Sequence, residues 1–232
     1  LDTLDRARFE EITGMDAFDK VWDGIEACLD AGIPVKLNAV AMRGVNEPDL
    51  PAFVELARTR PLHVRFIEFM PVGGATTWER EKFWSSDDVL ENARKYADLI
   101  PVPRPPRNGE ACADTGDRDE RMVTPFTSGP ARMFRIAGGI GAIGVISPLT
   151  NHFCEACNRL RISSDGRLRT CLFSDREYKL RPALRHPKLG PESVKKIIIQ
   201  CGRIKPIGHE ILKQLTKERN AVCDKRMSSI GG

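Results

Sequence analysis

The sequence predicts an α/β fold: a first part that builds a parallel sheet, open or barrel-like, and a last part that is β-rich and carries the chemistry. Three observations predict it. Over residues 1–100, segments with helical apolar spacing alternate with short apolar runs of strand length, the pattern of βα units. Six prolines between Pro101 and Pro130, together with the charged stretch Asp117 to Arg121, then mark an exposed insertion or linker. Beyond it, residues 131–173 hold closely spaced strand-like runs.

The elements follow in order. Phe18, Val21, Ile25 and Leu29 recur at helical spacing, and Gly32 closes that helix. Residues 33–42 read as a strand, followed by a loop at Gly44-Val45-Asn46. Leu50, Phe53, Val54 and Ala57 suit a second helix, and Leu62 to Met70 a second strand, stopped by Pro71 and Gly73-Gly74. Ser86 is positioned to cap a third helix reaching about Tyr96. Later strands are expected at Arg132 to Ile136, Ile140 to Ser147, Arg159 to Ser163 and Arg167 to Phe173, with Asp165-Gly166 as a two-residue hairpin turn. Ser193 to Cys201 and His209 to Lys217 are helix candidates.

The bulk numbers exclude several classes. Thirty-six basic against 32 acidic residues give a net charge of +4, which calls for no nucleic-acid partner, although a local basic cluster could still bind phosphate. No apolar run approaches the roughly 20 residues of a membrane span, and no charged-then-apolar leader is visible. The chain opens on Leu-Asp-Thr-Leu-Asp, already in patterned sequence, and is expected to lack its natural start. Seven cysteines, an odd number, argue against a disulfide scaffold and for a reducing compartment. Cys28 on the first helical stripe and Cys201 after Ile197–Ile199 read as buried small hydrophobes, while Cys112 and Cys223 are isolated.

Only Cys154, Cys157 and Cys171 cluster, at C-x2-C-x13-C spacing. The first pair can share a metal centre, and a hairpin of the right length returns the third beside them. Thiolates bind zinc or iron–sulfur clusters. The spacing serves either: a Cys3His zinc site with His152 as fourth ligand, or a four-iron cluster with one iron left for a substrate. Cys157, Arg159 and Arg161 alternate along one segment, and Arg167, Arg169 and Cys171 along its expected partner. Guanidiniums beside a metal site favour a planar or multiply charged anion such as phosphate. Without the cysteines they would read as a solvated basic face.

The run Cys154-x2-Cys157-Asn158-Arg159-Leu160-Arg161-x-Ser163-x-Asp165-Gly166, followed by Cys171-Leu172-Phe173, resembles the carboxyl-terminal cluster region of the GTP 3′,8-cyclase family of molybdenum cofactor synthesis. So do Arg65-Phe66-Ile67-Glu68-Phe69-Met70-Pro71, Lys36-x-Asn38-x-Val40 with the following Met42-Arg43-Gly44-Val45-Asn46, and the terminal Gly231-Gly232. The resemblance implies a partial (β/α) barrel of the radical S-adenosylmethionine type over residues 1–100, the proline-rich insertion over 101–130, and a smaller α+β iron–sulfur and GTP-binding domain over 131–232. It implies a lyase that converts GTP to 3′,8-cyclo-7,8-dihydro-GTP. One [4Fe-4S] cluster would sit on Cys154, Cys157 and Cys171, and a second in an amino-terminal part that this sequence does not contain. It further implies GTP contacts from Lys36, Asn38, Arg65, Arg159, Leu160 and Arg161, an S-adenosylmethionine contact from Met70, and a tail at Gly231 and Gly232 that enters the active site. An electron donor, no nucleic acid and no membrane complete the implied partners, and the family admits a homodimer. Its location is cytoplasmic, or the mitochondrial matrix in a eukaryote.

No C-x3-C-x2-C motif, the signature that initiates the radical in this family, occurs in the 232 residues. The expectation is therefore a fragment that is inactive alone and, with half its barrel missing, poorly stable in isolation. The alternative is a zinc-stabilised, non-catalytic module for a polyanion or nucleotide. Few aromatics, at 6% of residues, weigh against nucleic-acid stacking in that alternative.

Overall fold

A computed structural model describes residues 1–72, 78–103, 129–208 and 210–211. Most of the 101–130 segment, the helix expected from His209, Cys112, Cys223, Gly231 and Gly232 lie outside the described residues. The chain forms two compact units, Leu1–Phe69 with Arg80–Thr150 and Met70–Glu79 with Asn151–Gly232.

The first unit is α/β with a mixed five-stranded sheet. Its parallel strands are β1 (Val35–Ala41), β2 (Leu62–Glu68) and β5 (Ala142–Ile146). An antiparallel flank consists of β4 (Arg132–Ile136) and β3 (Leu99–Pro101), in the order β1-β2-β5-β4-β3. Among the described residues four α-helices accompany it: α1 (Arg6–Thr13), α2 (Phe18–Asp30), α3 (Leu50–Thr59) and α4 (Ser86–Ala93). The expected division at residue 131 differs from this arrangement. Residues 131–150 belong with the sheet because β5 pairs parallel with β2, in register from His63↔Ala142 to Ile67↔Ile146.

The strand periodicity decides the two faces of this sheet. Leu37, Ala39 and Ala41 alternate along β1, and with Val64, Phe66, Ile143 and Val145 they form one apolar face. That face packs against Ile25, Phe53, Val54, Ala57, Val89 and Leu90 of the helices. In α3, Leu50, Phe53, Val54 and Ala57 are all buried, as their i, i+3, i+4, i+7 spacing predicts. The intervening residues Lys36 and Asn38 of β1 and Arg65 of β2 therefore share the opposite face.

Glu68, at the carboxyl end of β2, is buried. It accepts hydrogen bonds from the Ser86 amide (3.0 Å), the Leu149 amide (2.9 Å), the Thr150 amide (3.1 Å) and the Thr150 hydroxyl. One carboxylate thus fixes the start of α4 to the segment after β5, and its charge is met by donors rather than left bare.

Several local expectations shift. The cap of α4 is Ser85, whose hydroxyl accepts from the Asp88 amide, while Ser86 is buried inside the first turn; the helix ends at Ala93. Cys28 is half-buried, since the core-facing stripe of α2 runs through Ile25 rather than through it. Cys201 is buried as expected. β2 stops at Glu68, so Met70 lies outside it.

The second unit holds a small antiparallel sheet, β6 (Arg161–Ile162), β7 (Arg167–Arg169) and β8 (Glu177–Lys179). Two helices follow, α5 (Arg181–Arg185) and α6 (Gly190–Arg203). The hairpin turns where expected, but through a three-residue loop, Ser164-Asp165-Gly166, rather than a two-residue turn: the Ser163 amide donates to the Arg167 carbonyl (2.9 Å), the Gly166 amide to the Ser163 carbonyl (2.9 Å), and Gly166 alone in the loop has positive φ, +78°. β8 was not anticipated; it completes the sheet on the far side of β7. Leu168, Leu180 and Cys201 form a core with Val194, Ile197 and Ile198 of α6.

Candidate metal centre

Cys154 opens a single 3-10 turn, Cys154–Ala156, and Cys157 closes it, its amide donating to the Cys154 carbonyl at 3.1 Å. Cys171 lies two residues past the end of β7 and packs, with Met70, Leu172 and Ile211, against Val72 and Phe173. None of the three is in a disulfide, and all are half-buried.

Two residues that the sequence reading passed over bring the thiols into one place. Gly208 has no side chain where one would strike the site. A Cβ there would stand 2.8 Å from Cys171 Sγ and 3.5 Å from Cys154 Sγ. Lys205 covers the third cysteine. Its Nζ donates to Cys157 Sγ (3.2 Å), the Cys157 carbonyl (2.8 Å) and the Arg159 carbonyl (2.7 Å). The only signal in the sequence was Lys205-Pro206-Ile207-Gly208, a break after the last apolar residues of α6, with nothing to tie it to cysteines more than thirty residues earlier.

The thiols are electrostatically unequal. Burial pushes the Cys157 thiol up, but the Arg159 amide, the Lys205 ammonium and the Arg159 charge outweigh it and hold it below the ordinary value. Burial raises Cys171 above that value, with further upward pressure from Cys154 and Cys157 as neighbouring thiolates.

By donor type, three thiols serve zinc or an iron–sulfur cluster. Zinc at a bond length of 2.3 Å draws its thiolates to about 3.8 Å of one another. Among the described residues no group of three or more His, Cys, Asp or Glu is gathered to hold one metal ion. His152, the fourth ligand of the zinc alternative, is exposed.

The arginines divide by role. Arg159 is exposed, with its guanidinium 5.6 Å from the Phe153 ring centroid. Arg161 is half-buried, and burial first, then Arg159 and Arg169, lower its pKa; Cys157 and Cys171 act the other way. It therefore lies among the cysteines in a field of like charge. The alternation expected from Cys157 through Arg161 is not a strand over its full length, because β6 begins only at Arg161. Arg169 is not a ligand-facing arginine at all. It is fully buried and donates to the Ser174 carbonyl (2.6 Å), Asp175 (3.4 Å) and Glu177 (3.5 Å), an internal brace between β7 and the turn that leads to β8. Arg167 is spent on Asp165 (2.6 Å) and Glu177 (3.5 Å). Leu160 is exposed between Arg159 and Arg161.

In the first unit, Asn38 and Arg65 are register partners, and Arg65 Nε donates to Asn38 Oδ1 at 2.9 Å. Lys36 stands two residues away on the same face of β1.

Residues 62–211 match the family described as Molybdenum Cofactor Synthesis C, spanning both the second parallel strand and the three cysteines. The chain belongs to that family. The chain is similar to proteins named GTP 3′,8-cyclase from Alkaliphilus oremlandii (34% identical over 233 residues), Pelotomaculum thermopropionicum (36% over 234) and Thermodesulfovibrio yellowstonii (37% over 234). In each comparison 100% of this chain is covered, but only 63%, 64% and 63% of the relative. The chain thus spans a little under two thirds of the length of these relatives and corresponds to their carboxyl-terminal part. Among the described residues no helix is long and apolar enough to cross a membrane.

Proposed function

We propose that this chain is the substrate-holding part of a GTP 3′,8-cyclase, an enzyme that turns GTP into 3′,8-cyclo-7,8-dihydro-GTP in molybdenum cofactor synthesis. The observation that carries the reading is the convergence of Cys154, Cys157 and Cys171 around Gly208 and Lys205, beside Arg159 and Arg161. On this reading the three thiolates hold a [4Fe-4S] cluster, and the sheet of the first unit is part of a radical S-adenosylmethionine half-barrel. When bound, the cluster supplies an iron without a protein ligand, which can accept a nitrogen or oxygen of the guanine; a second cluster and S-adenosylmethionine belong to the radical step.

What the chain itself contributes is binding and orientation. Arg159 and Arg161 repel one another, and a triphosphate between them offsets that repulsion, so the anion is selected by charge. Asn38 uses Oδ1 to orient the Arg65 guanidinium, leaving its own NH2 as a donor, and Lys36 adds a point charge two residues along. These groups suit phosphate or ribose oxygens. Met70 remains the proposed S-adenosylmethionine contact, with its thioether in the apolar cluster that includes Cys171. Gly231 and Gly232 keep the role of an entering tail as a proposal from the resemblance. GTP, S-adenosylmethionine, an electron donor, a homodimer and a cytoplasmic location are likewise proposals.

The test is GTP binding to the chain after anaerobic reconstitution with iron and sulfide. Arg159→Ala and Arg161→Ala should each weaken binding by about tenfold, the loss of roughly one charge-assisted contact of ~1.4 kcal/mol, and should flatten its salt dependence. Binding equal to that of the unaltered chain refutes the assigned clamp.

A further inference from the structure

An ammonium has three N–H bonds, and Lys205 commits all three to one short stretch of chain: two backbone carbonyls, at Cys157 and Arg159, and the sulfur of Cys157. A lysine used only to hold a loop needs the carbonyls. The third bond goes to a sulfur that the proposed function assigns to the cluster. Three residues on, Gly208 lies so close to the other two sulfurs that a Cβ there would stand 2.8 Å from Cys171 Sγ and 3.5 Å from Cys154 Sγ. Pro206 stiffens the link between them by fixing φ.

We propose that the segment from Lys205 to Gly208 is the cluster's built-in support, with Lys205 a positioning residue that orients Cys157 and sets the reduction potential through its hydrogen bond to the thiolate. The inference rests on the reading that a four-iron cluster occupies Cys154, Cys157 and Cys171. Its physics is that of any hydrogen-bonded thiolate ligand. Reduction by one electron adds negative charge that spreads onto the sulfurs, and an N–H donor, here a cationic one, stabilises the reduced state more than the oxidised. The Lys205 bond therefore raises the potential and makes the Cys157 corner unlike the other two. No bond to carbon is made or broken; a one-electron reductant such as dithionite supplies the electron.

The experiment compares the unaltered chain with Lys205→Met, Lys205→Gln and Lys205→Arg after anaerobic reconstitution. Iron and sulfide are counted first, then the midpoint potential is read by dithionite titration with EPR, and loss of iron to a chelator is timed. Lys205→Met should lower the potential by about 59 mV, a tenfold loss in the relative stability of the reduced form for a one-electron couple, and should shed iron faster. Lys205→Arg, which keeps charge and donors, should restore most of both. Should Lys205→Met shed its cluster before titration, Lys205→Gln, with one neutral donor, is expected to fall between Met and the unaltered chain. A Met or Gln variant with unchanged potential and unchanged iron loss overturns the role of Lys205 while leaving the cluster reading intact. An unaltered chain that takes up no iron and sulfide overturns both.

Discussion

At the scale of single residues, the centre is built from neighbours that the cysteine spacing does not mention. Cys157 and Cys171 differ by environment alone: in one case the Arg159 amide and Lys205 ammonium outweigh burial, in the other burial outweighs the Phe173 amide and Lys205. In the metal-free protein near neutral pH, alkylation should therefore proceed faster at Cys157 than at Cys171, because the thiolate is the nucleophile. Peptide mapping after a timed iodoacetamide pulse checks this, and equal labelling would contradict the assigned environments. Gly208→Ala places a methyl carbon 2.8 Å from Cys171 Sγ, so it should reduce iron uptake severalfold while leaving circular dichroism unchanged. The cysteines themselves were legible from spacing and residue type. Lys205 and Gly208 were not, because contacts that close over more than thirty residues leave no local pattern. Arg169 was legible only as a positive charge; its burial depends on Glu177 of β8, a strand of three residues too short to carry a period.

At the scale of elements, the apolar pattern reported helices and parallel strands well because each buries one face: α3 and β1 read directly from their spacing. The ends were less legible. Ser85 and Ser86 are chemically equivalent caps, and only the position of Glu68 beneath the Ser86 amide distinguishes them. Removing that carboxylate by Glu68→Ala leaves the amides of buried Ser86, half-buried Leu149 and exposed Thr150 without this acceptor, and should cost about 3 kcal/mol in a denaturant melt. The hairpin offers a pH test. The Ser163 hydroxyl first, then Arg167, holds the Asp165 carboxyl below its ordinary value. The folded hairpin then binds fewer protons than the unfolded chain across that window, so stability rises with pH there. The contribution is complete above the unfolded value, roughly pH 4, and fades as pH falls through the lower folded one. Asp165→Asn should flatten that acid limb in thermal melts, although at so exposed a group the effect is small. An unchanged acid limb would remove Asp165 from the account.

At the scale of the whole molecule, an α/β class with a cysteine-bearing second part was legible, because alternation of helical and strand periods survives without knowledge of packing. The boundary was not. Residues 131–150 read as the start of the β-rich part, yet β5 joins β2 through parallel hydrogen bonds, a long-range pairing that no local signal announces. On the proposed reading, the centre on Cys154, Cys157 and Cys171 would separate a cyclase from an ordinary anion-binding protein. The most direct test is the metal and sulfide content of the chain after anaerobic reconstitution with iron, sulfide and zinc offered together. The account predicts a brown protein with about four irons and four sulfides per chain, abolished by Cys171→Ser. One zinc per chain with no sulfide would contradict it.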